Sequence, residues 1–335
     1  MPSLRKRRHN EHQIARLCIY LNLTTLHEIL GAMIVPFRAG FPCNMTPITE
    51  NIPLSMKRFH RLLTAGVTPE NCHTLSALEL EAVARGSAAC CHILHRDPDT
   101  ALLLSAIWKE GLKRLSHCES TGSAADLDTA RLRDAMWNVL ALYRIAYGPD
   151  ADVCGHSDDG KCDYLASVLT DEALGRYREG SFGATAEDQS LILHTGAELC
   201  CYVTAEDLEG EEILTFAAET AASWKRTMAR TSAPWNPEQE RRWMLMAEGL
   251  ETCECITGPS DTALPHATVL TTPDGLATLC TILARRSNDS KALNDACNAL
   301  AQKLTTPDRP ITASLLQGLS TLYLLTQGNI ALNCA

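Results

Sequence analysis

Five times along the 335-residue chain a capping residue is followed by proline and then an acid. The triplets are Thr68-Pro69-Glu70, Asp97-Pro98-Asp99, Asn236-Pro237-Glu238, Thr272-Pro273-Asp274 and Thr306-Pro307-Asp308. An oxygen-bearing side chain at the N-cap accepts one of the free backbone N–H groups of a helix start. Proline fits the first helical position because its missing N–H is not needed there, and the acid sits against the positive end of the helix dipole. One such triplet is a weak signal; five of them predict a chain built from capped helices. In the last, Pro310 follows too closely, so that helix is expected to begin near Ile311.

Apolar residues recur at helical spacing after these starts. Leu104, Ile107, Trp108, Leu112 and Leu115 share one face, with Lys109, Lys113 and Arg114 elsewhere. Leu132, Met136, Val139, Leu140 and Tyr143 line a second stripe, from which Arg131, Asp134 and Asn138 are excluded, before Gly148-Pro149 stops the run. Similar stripes near 11–33, 54–65, 75–95, 161–178, 185–204, 210–230, 237–256, 273–286, 289–304 and 311–327 bring the expectation to about a dozen helices. Abundant Ala and Leu and only 5% aromatics fit the same class. The sequence therefore predicts an all-α protein with little or no β structure, a short strand being admitted only within 34–53 or near Thr268–Leu270.

The expected organisation is a basic tail over 1–10, an N-terminal helical lobe over 11–148 and a C-terminal lobe over 161–335. The Asp- and Gly-rich stretch Gly148–Gly160 divides the lobes, and one continuous domain is the alternative. The last two capping triplets lie 34 residues apart, which hints at stacked helical pairs.

Charge narrows the function. With a net charge of −10 the surface as a whole repels phosphate backbones, so nucleic-acid binding requires a local basic patch. One such patch lies between Ser223 and Trp243. There Trp224, Lys225, Arg226, Arg230, Arg241, Arg242 and Trp243 occur with Trp235, and Glu238 and Glu240 are the only acids. Arginine beside an exposed aromatic grips phosphates and stacks bases, and it is equally the make-up of a protein-interface hot spot. The plain alternative is a solvated helix face with its tryptophans turned inward. The run Arg5, Lys6, Arg7 and Arg8 reads as a nuclear-import tail or a polyanion-binding arm.

The fifteen cysteines are odd in number and no signal peptide is visible, so they are read as reduced thiols of an intracellular protein of nucleus or cytoplasm. No uninterrupted apolar run of about 18 residues predicts a membrane span. Cys154, His156 and Cys162 form the one cluster with zinc-ligand chemistry; a fourth ligand would come from Cys200, Cys201, Cys253 or Cys255. Loop and core thiols are the competing reading, and no other cofactor is expected. Cys91 and His95, four apart, share one helix face with the geometry of a metal site or a nucleophile pair, against the reading of a buried small-residue face that includes Cys90 and His92. Asp158, Asp159 and Asp163 have the acid spacing of a magnesium-binding motif of all-helical enzymes, but Gly160 places the first two in a loop. Phosphate-cradling loops, nucleophile elbows and zinc-protease motifs do not occur.

The leading expectation is a non-catalytic helical interaction protein, a scaffold or regulatory factor with protein partners and a nuclear or viral character. The alternatives are a nucleic-acid-binding helical protein using the 224–243 patch, and an all-α metal-dependent enzyme.

Overall fold

In the computed structural model, three of the five capping triplets start helices. The described residues are 60–61, 64–91, 98–146, 161–200, 208–228, 234–257, 264–286 and 290–304, together with 315 and 319. Among them the chain forms nine helices and no strand. These are α1 (Ala77–Cys91), α2 (Pro98–Thr121), α3 (Thr129–Ala146), α4 (Lys161–Arg178), α5 (Ala186–Cys200), α6 (Leu208–Met228), α7 (Pro237–Thr257), α8 (Pro273–Arg286) and α9 (Ser290–Leu304).

The helices α2, α7 and α8 begin on the prolines of their triplets. At α7 the cap is reciprocal: the Gln239 amide N–H donates to Asn236 Oδ1 at 2.9 Å, and the Asn236 N–H donates to Gln239 Oε1 at 3.0 Å. Ser76 and Glu79 make the same box at α1, with the Ser76 N–H 2.8 Å from Glu79 Oε2. The triplet at Thr68 behaves differently. Asn71 Oδ1 takes the Thr68 N–H and its amide donates to Gly66 O, folding the segment into a turn and a short 3-10 helix over Cys72–Thr74. The Thr306 triplet and the expected helices over 11–33 and 311–327 lie outside the described residues, except for Leu315 and Leu319, which are buried. Thr268–Leu270 is not a strand. Ala267–Val269 is a 3-10 turn whose Val269 carbonyl accepts the Trp235 N–H at 2.9 Å.

Helices pack in the order expected of stacked hairpins. Along one row α1 lies against α3, α3 against α5, and α5 against α7. Flanking this row, α2 packs on α1 and α3, α4 on α3 and α5, and α6 on α5 and α7. The consequence is clearest at α3, which is buried continuously from Ala135 to Tyr143 and again at Ile145 and Ala146. A helix with neighbours on several sides cannot keep a single apolar stripe. Asn138, off the stripe in the sequence, is therefore inside, its amide donating to the Asp134 carbonyl at 2.8 Å.

Two apolar clusters result. The larger runs from Cys72 to Leu250 and includes residues on both sides of 149–160, among them Ile107, Leu140, Leu165 and Ile192. The smaller joins Trp235 and Trp243 to Leu276, Cys280, Leu293, Cys297 and Leu300. Both draw on α7, which gives Met246 and Leu250 to the first and Trp243 and Ala247 to the second. These positions form adjacent halves of one broad face, so α7 ties the clusters together. It approaches α5 closely at Gly249, where a Cβ would stand 2.8 Å from Leu193 Cβ.

One device recurs in the loops. Arg114, on α2, is paired with Glu110 at 2.9 Å and donates from Nη2 to the carbonyls of His73 and Leu75, just before α1. Arg176, on α4, is paired with Glu172 at 2.6 Å and donates from Nη2 to the carbonyls of Ala125 and Leu127, just before α3. In both, a glutamate one turn earlier aims a guanidinium at two carbonyls ahead of a neighbouring helix. Charge-assisted bonds of this kind contribute about 1–3 kcal/mol each. Arg114→Met and Arg176→Met are each expected to lower the urea unfolding free energy by about 1–3 kcal/mol while leaving the helical circular dichroism of the folded state unchanged. Unfolding curves that superimpose on wild type would show that the clamps do not stabilise the fold.

Candidate functional site

The densest set of buried polar side chains lies where α1, α3 and α5 meet. Glu81 is 1% exposed, and its Oε1 takes Arg144 Nε at 3.2 Å and lies 3.3 Å from Arg85 Nε. Glu81 Oε2 has no hydrogen-bond partner among the described residues. His194 of α5 is buried within the field of both guanidiniums. Burial, then the charges of Arg144 and Arg85, hold its pKa well below the ordinary 6.5, so the imidazole is neutral near pH 7. On the same helix α1, Ser87 shares a buried hydrogen bond of 3.1 Å with His60. Further along the α3–α5 seam, Arg133 pairs with buried Asp188 at 2.8 Å and Trp137 Nε1 donates to Glu187 at 3.1 Å. Arg133 and Arg144 thus meet their anions across helix interfaces, Arg85 meets Glu81 within α1, and the chemistry of the region is charge pairing. Residues 81 and 144 are far apart in sequence, and only the side-by-side row brings them together.

A second buried carboxylate sits at the junction of α7 and α8. Glu240 is 0% exposed. Its Oε2 accepts the Thr271 N–H and Oγ1–H at 2.8 and 2.9 Å; its Oε1 accepts the Thr272 N–H at 2.9 Å and the Thr272 hydroxyl. Thr272 in turn caps α8, accepting the Gly275 N–H at 3.1 Å. The carboxylate therefore meets the positive end of α8 with all four contacts made by backbone or hydroxyl donors. Only glycine fits at 275, since a Cβ there would collide with Glu240 Oε1.

The residues singled out in the sequence fall in different places. Trp243 is fully buried and Trp235 nearly so, with ring centroids 6.0 Å apart in the smaller apolar cluster. Arg241 and Arg242 point outward, and Arg242 Nε is paired with Glu238 at 2.9 Å. On α7, Arg241 and Arg242 thus face solvent while Trp243 faces the core. Trp224, Lys225 and Arg226 lie on the last turns of α6, with side chains outside the described residues; Arg230 is outside altogether. So are Arg5, Lys6, Arg7 and Arg8.

Cys162 opens α4 and is fully buried, whereas Cys154 and His156 lie outside the described residues. Among those described, no three His, Cys, Asp or Glu side chains gather as a metal site. Asp163 accepts the Tyr143 hydroxyl at 3.0 Å, tying α4 to α3; Asp158 and Asp159, like His92 and His95, are outside the description. No described helix is long and apolar enough to cross a membrane.

Sequence reasoning passed over Glu81, Arg85, Arg144, His194 and Glu240. The spacing of Glu81 and Arg85, one turn apart inside an apolar stretch, was the available signal for the first pair. Glu240 resembled an ordinary acid in a first turn. No family model matches the chain, and no curated protein or solved structure is significantly similar to it.

The unfolded chain protonates His194 near pH 6.5, and the folded chain only at lower pH. The buried neutral ring thus supports the fold fully above pH 6.5, and that support is lost as the pH falls from there through the folded value. Urea midpoints of wild type are expected to fall more between about pH 7 and pH 5 than those of His194→Gln. Identical pH profiles for the two proteins would contradict the buried neutral imidazole.

Proposed function

We propose that this chain is a helical interaction protein of scaffold or regulatory type, which works by surface recognition of protein partners and catalyses no reaction. The observation that carries the reading is the row α1, α3, α5 and α7 flanked by α2, α4 and α6. Stacked helical pairs build long, continuous surfaces whose shape follows from the stacking, and such surfaces serve protein recognition in many unrelated chains. The described charged side chains at the helix junctions support it as well. Glu81, Asp188, Glu240, Arg114 and Arg176 each hold one segment of the stack to another.

Burial of Trp235 and Trp243 favours a protein partner over a nucleic acid, because neither ring offers a face on which a base could stack. Glu238, paired to Arg242, also breaks the positive field beside Arg241. That leaves a mixed-charge, solvent-facing start of α7, which suits the polar rim of a protein interface. The nuclear character rests on Arg5, Lys6, Arg7 and Arg8, a run of the kind read by import factors.

The test is affinity capture from cells with the wild-type chain and with the double variant Arg241→Glu, Arg242→Glu. Both side chains are exposed, so the variant is expected to melt at the wild-type temperature and to lose partners that wild type enriches. Partners released by nuclease or moderate salt would move the reading to nucleic acid. The same partner set on both proteins would remove this surface from the account.

A further inference from the structure

Among the buried thiols, two are in contact. Cys280 of α8 and Cys297 of α9 are both fully buried in the smaller apolar cluster, with their sulfurs 3.7 Å apart and not joined as a disulfide. Cys72, Cys118 and Cys162 are buried as well. For Cys72 and Cys118, burial raises the thiol pKa and disfavours the reactive thiolate. The 280–297 pair differs by placement: α8 and α9 pack directly on each other, and each sulfur is the other's neighbour.

We propose that Cys280 and Cys297 are an oxidation site, closing to a disulfide that staples α8 to α9 when the protein meets a hydroperoxide. Hydrogen peroxide is the fitting oxidant because it is close to water in size and can enter during small openings of the helix pair; a bulky disulfide such as oxidised glutathione cannot be seated between two fully buried sulfurs. One thiol gives up its proton and its sulfur attacks a peroxide oxygen, breaking the O–O bond; the sulfur becomes a sulfenic acid, and the departing hydroxide takes up that proton and leaves as water. The thiol of the other then attacks that sulfur, its proton leaving with the hydroxyl as a second water. Two thiols and one peroxide give one disulfide and two waters. The sulfurs must approach from 3.7 Å to the bonding distance of about 2.05 Å. Contact between the sulfurs makes capture of the sulfenic acid faster than its further oxidation. The cross-link closes a loop from Cys280 to Cys297, so it restrains the unfolded chain and ties α8 to α9.

The experiment treats the folded full chain with hydrogen peroxide, blocks remaining thiols with N-ethylmaleimide in denaturant and maps the peptides. Cleavage at Asp274, Arg285, Asp295 and Lys303 leaves each of the two cysteines in its own peptide. The expected product is a 274–285 peptide linked to a 295–303 peptide, lighter by two hydrogens than the reduced pair and separated by dithiothreitol. A rise in melting temperature on oxidation, reversed by dithiothreitol and absent from Cys280→Ala, is expected alongside. Recovery of both cysteines as maleimide adducts would overturn the proposal. So would disulfides joining either one to a different cysteine, or sulfinic acid at one with the other thiol intact. These readouts use the wild-type chain, so they stand even if Cys280→Ala fails to fold.

Discussion

A helix surrounded by other helices has little water to satisfy its polar side chains, and they must find partners within the protein or cost the fold several kcal/mol. That constraint governs the row α1, α3, α5 and α7. On α3, Arg133 meets Asp188, Trp137 meets Glu187, Asn138 turns back to its own helix, and Arg144 meets Glu81. The three bonds to other helices fix registers between neighbours that apolar packing alone would leave loose. Breaking one partner of such a pair strands the other, so these contacts matter more for holding one arrangement than for net stability.

The two apolar clusters meet this constraint through α7. Its outward Arg241 and Arg242 and its inward Trp243 divide the helix into a solvent side and a core side. Glu240 directly precedes them in sequence, yet its carboxylate reaches across to the start of α8. One turn of helix therefore sets the solvent face, the core face and the start of the next helix. Clamps at Arg114 and Arg176 do comparable work on the segments leading into α1 and α3, where a loop would otherwise leave carbonyls without donors.

Helix existence was legible because capping is local. Asn236-Pro237 and Thr272-Pro273 each carry a side-chain cap for their helix within four residues, and the structure places both starts on the prolines. Thr68-Pro69 carries the same signal, and Asn71 takes the Thr68 N–H as Gln239 takes that of Asn236, but the Asn71 amide also donates back to the Gly66 carbonyl and the chain turns into the short 3-10 helix over Cys72–Thr74. What the sequence could not show is pairing over distance. Glu81 and Arg144, or Glu240 and Thr271, are neighbours only once the helices have stacked. The same holds for the side on which a tryptophan lies: Trp243 beside Arg242 suggests a surface patch until α8 and α9 cover the ring.

The account rests on an inner row of helices shielded by an outer one, and amide hydrogen exchange read by mass spectrometry tests it most directly. Exchange is predicted to be slowest in the middle of α3, over 135–146, and in the parts of α5 and α7 near Leu193 and Gly249, with α2 and α4 faster. Uniform exchange across all of these helices, or an α3 that exchanges faster than α2, would contradict the stacked arrangement and with it the proposed role.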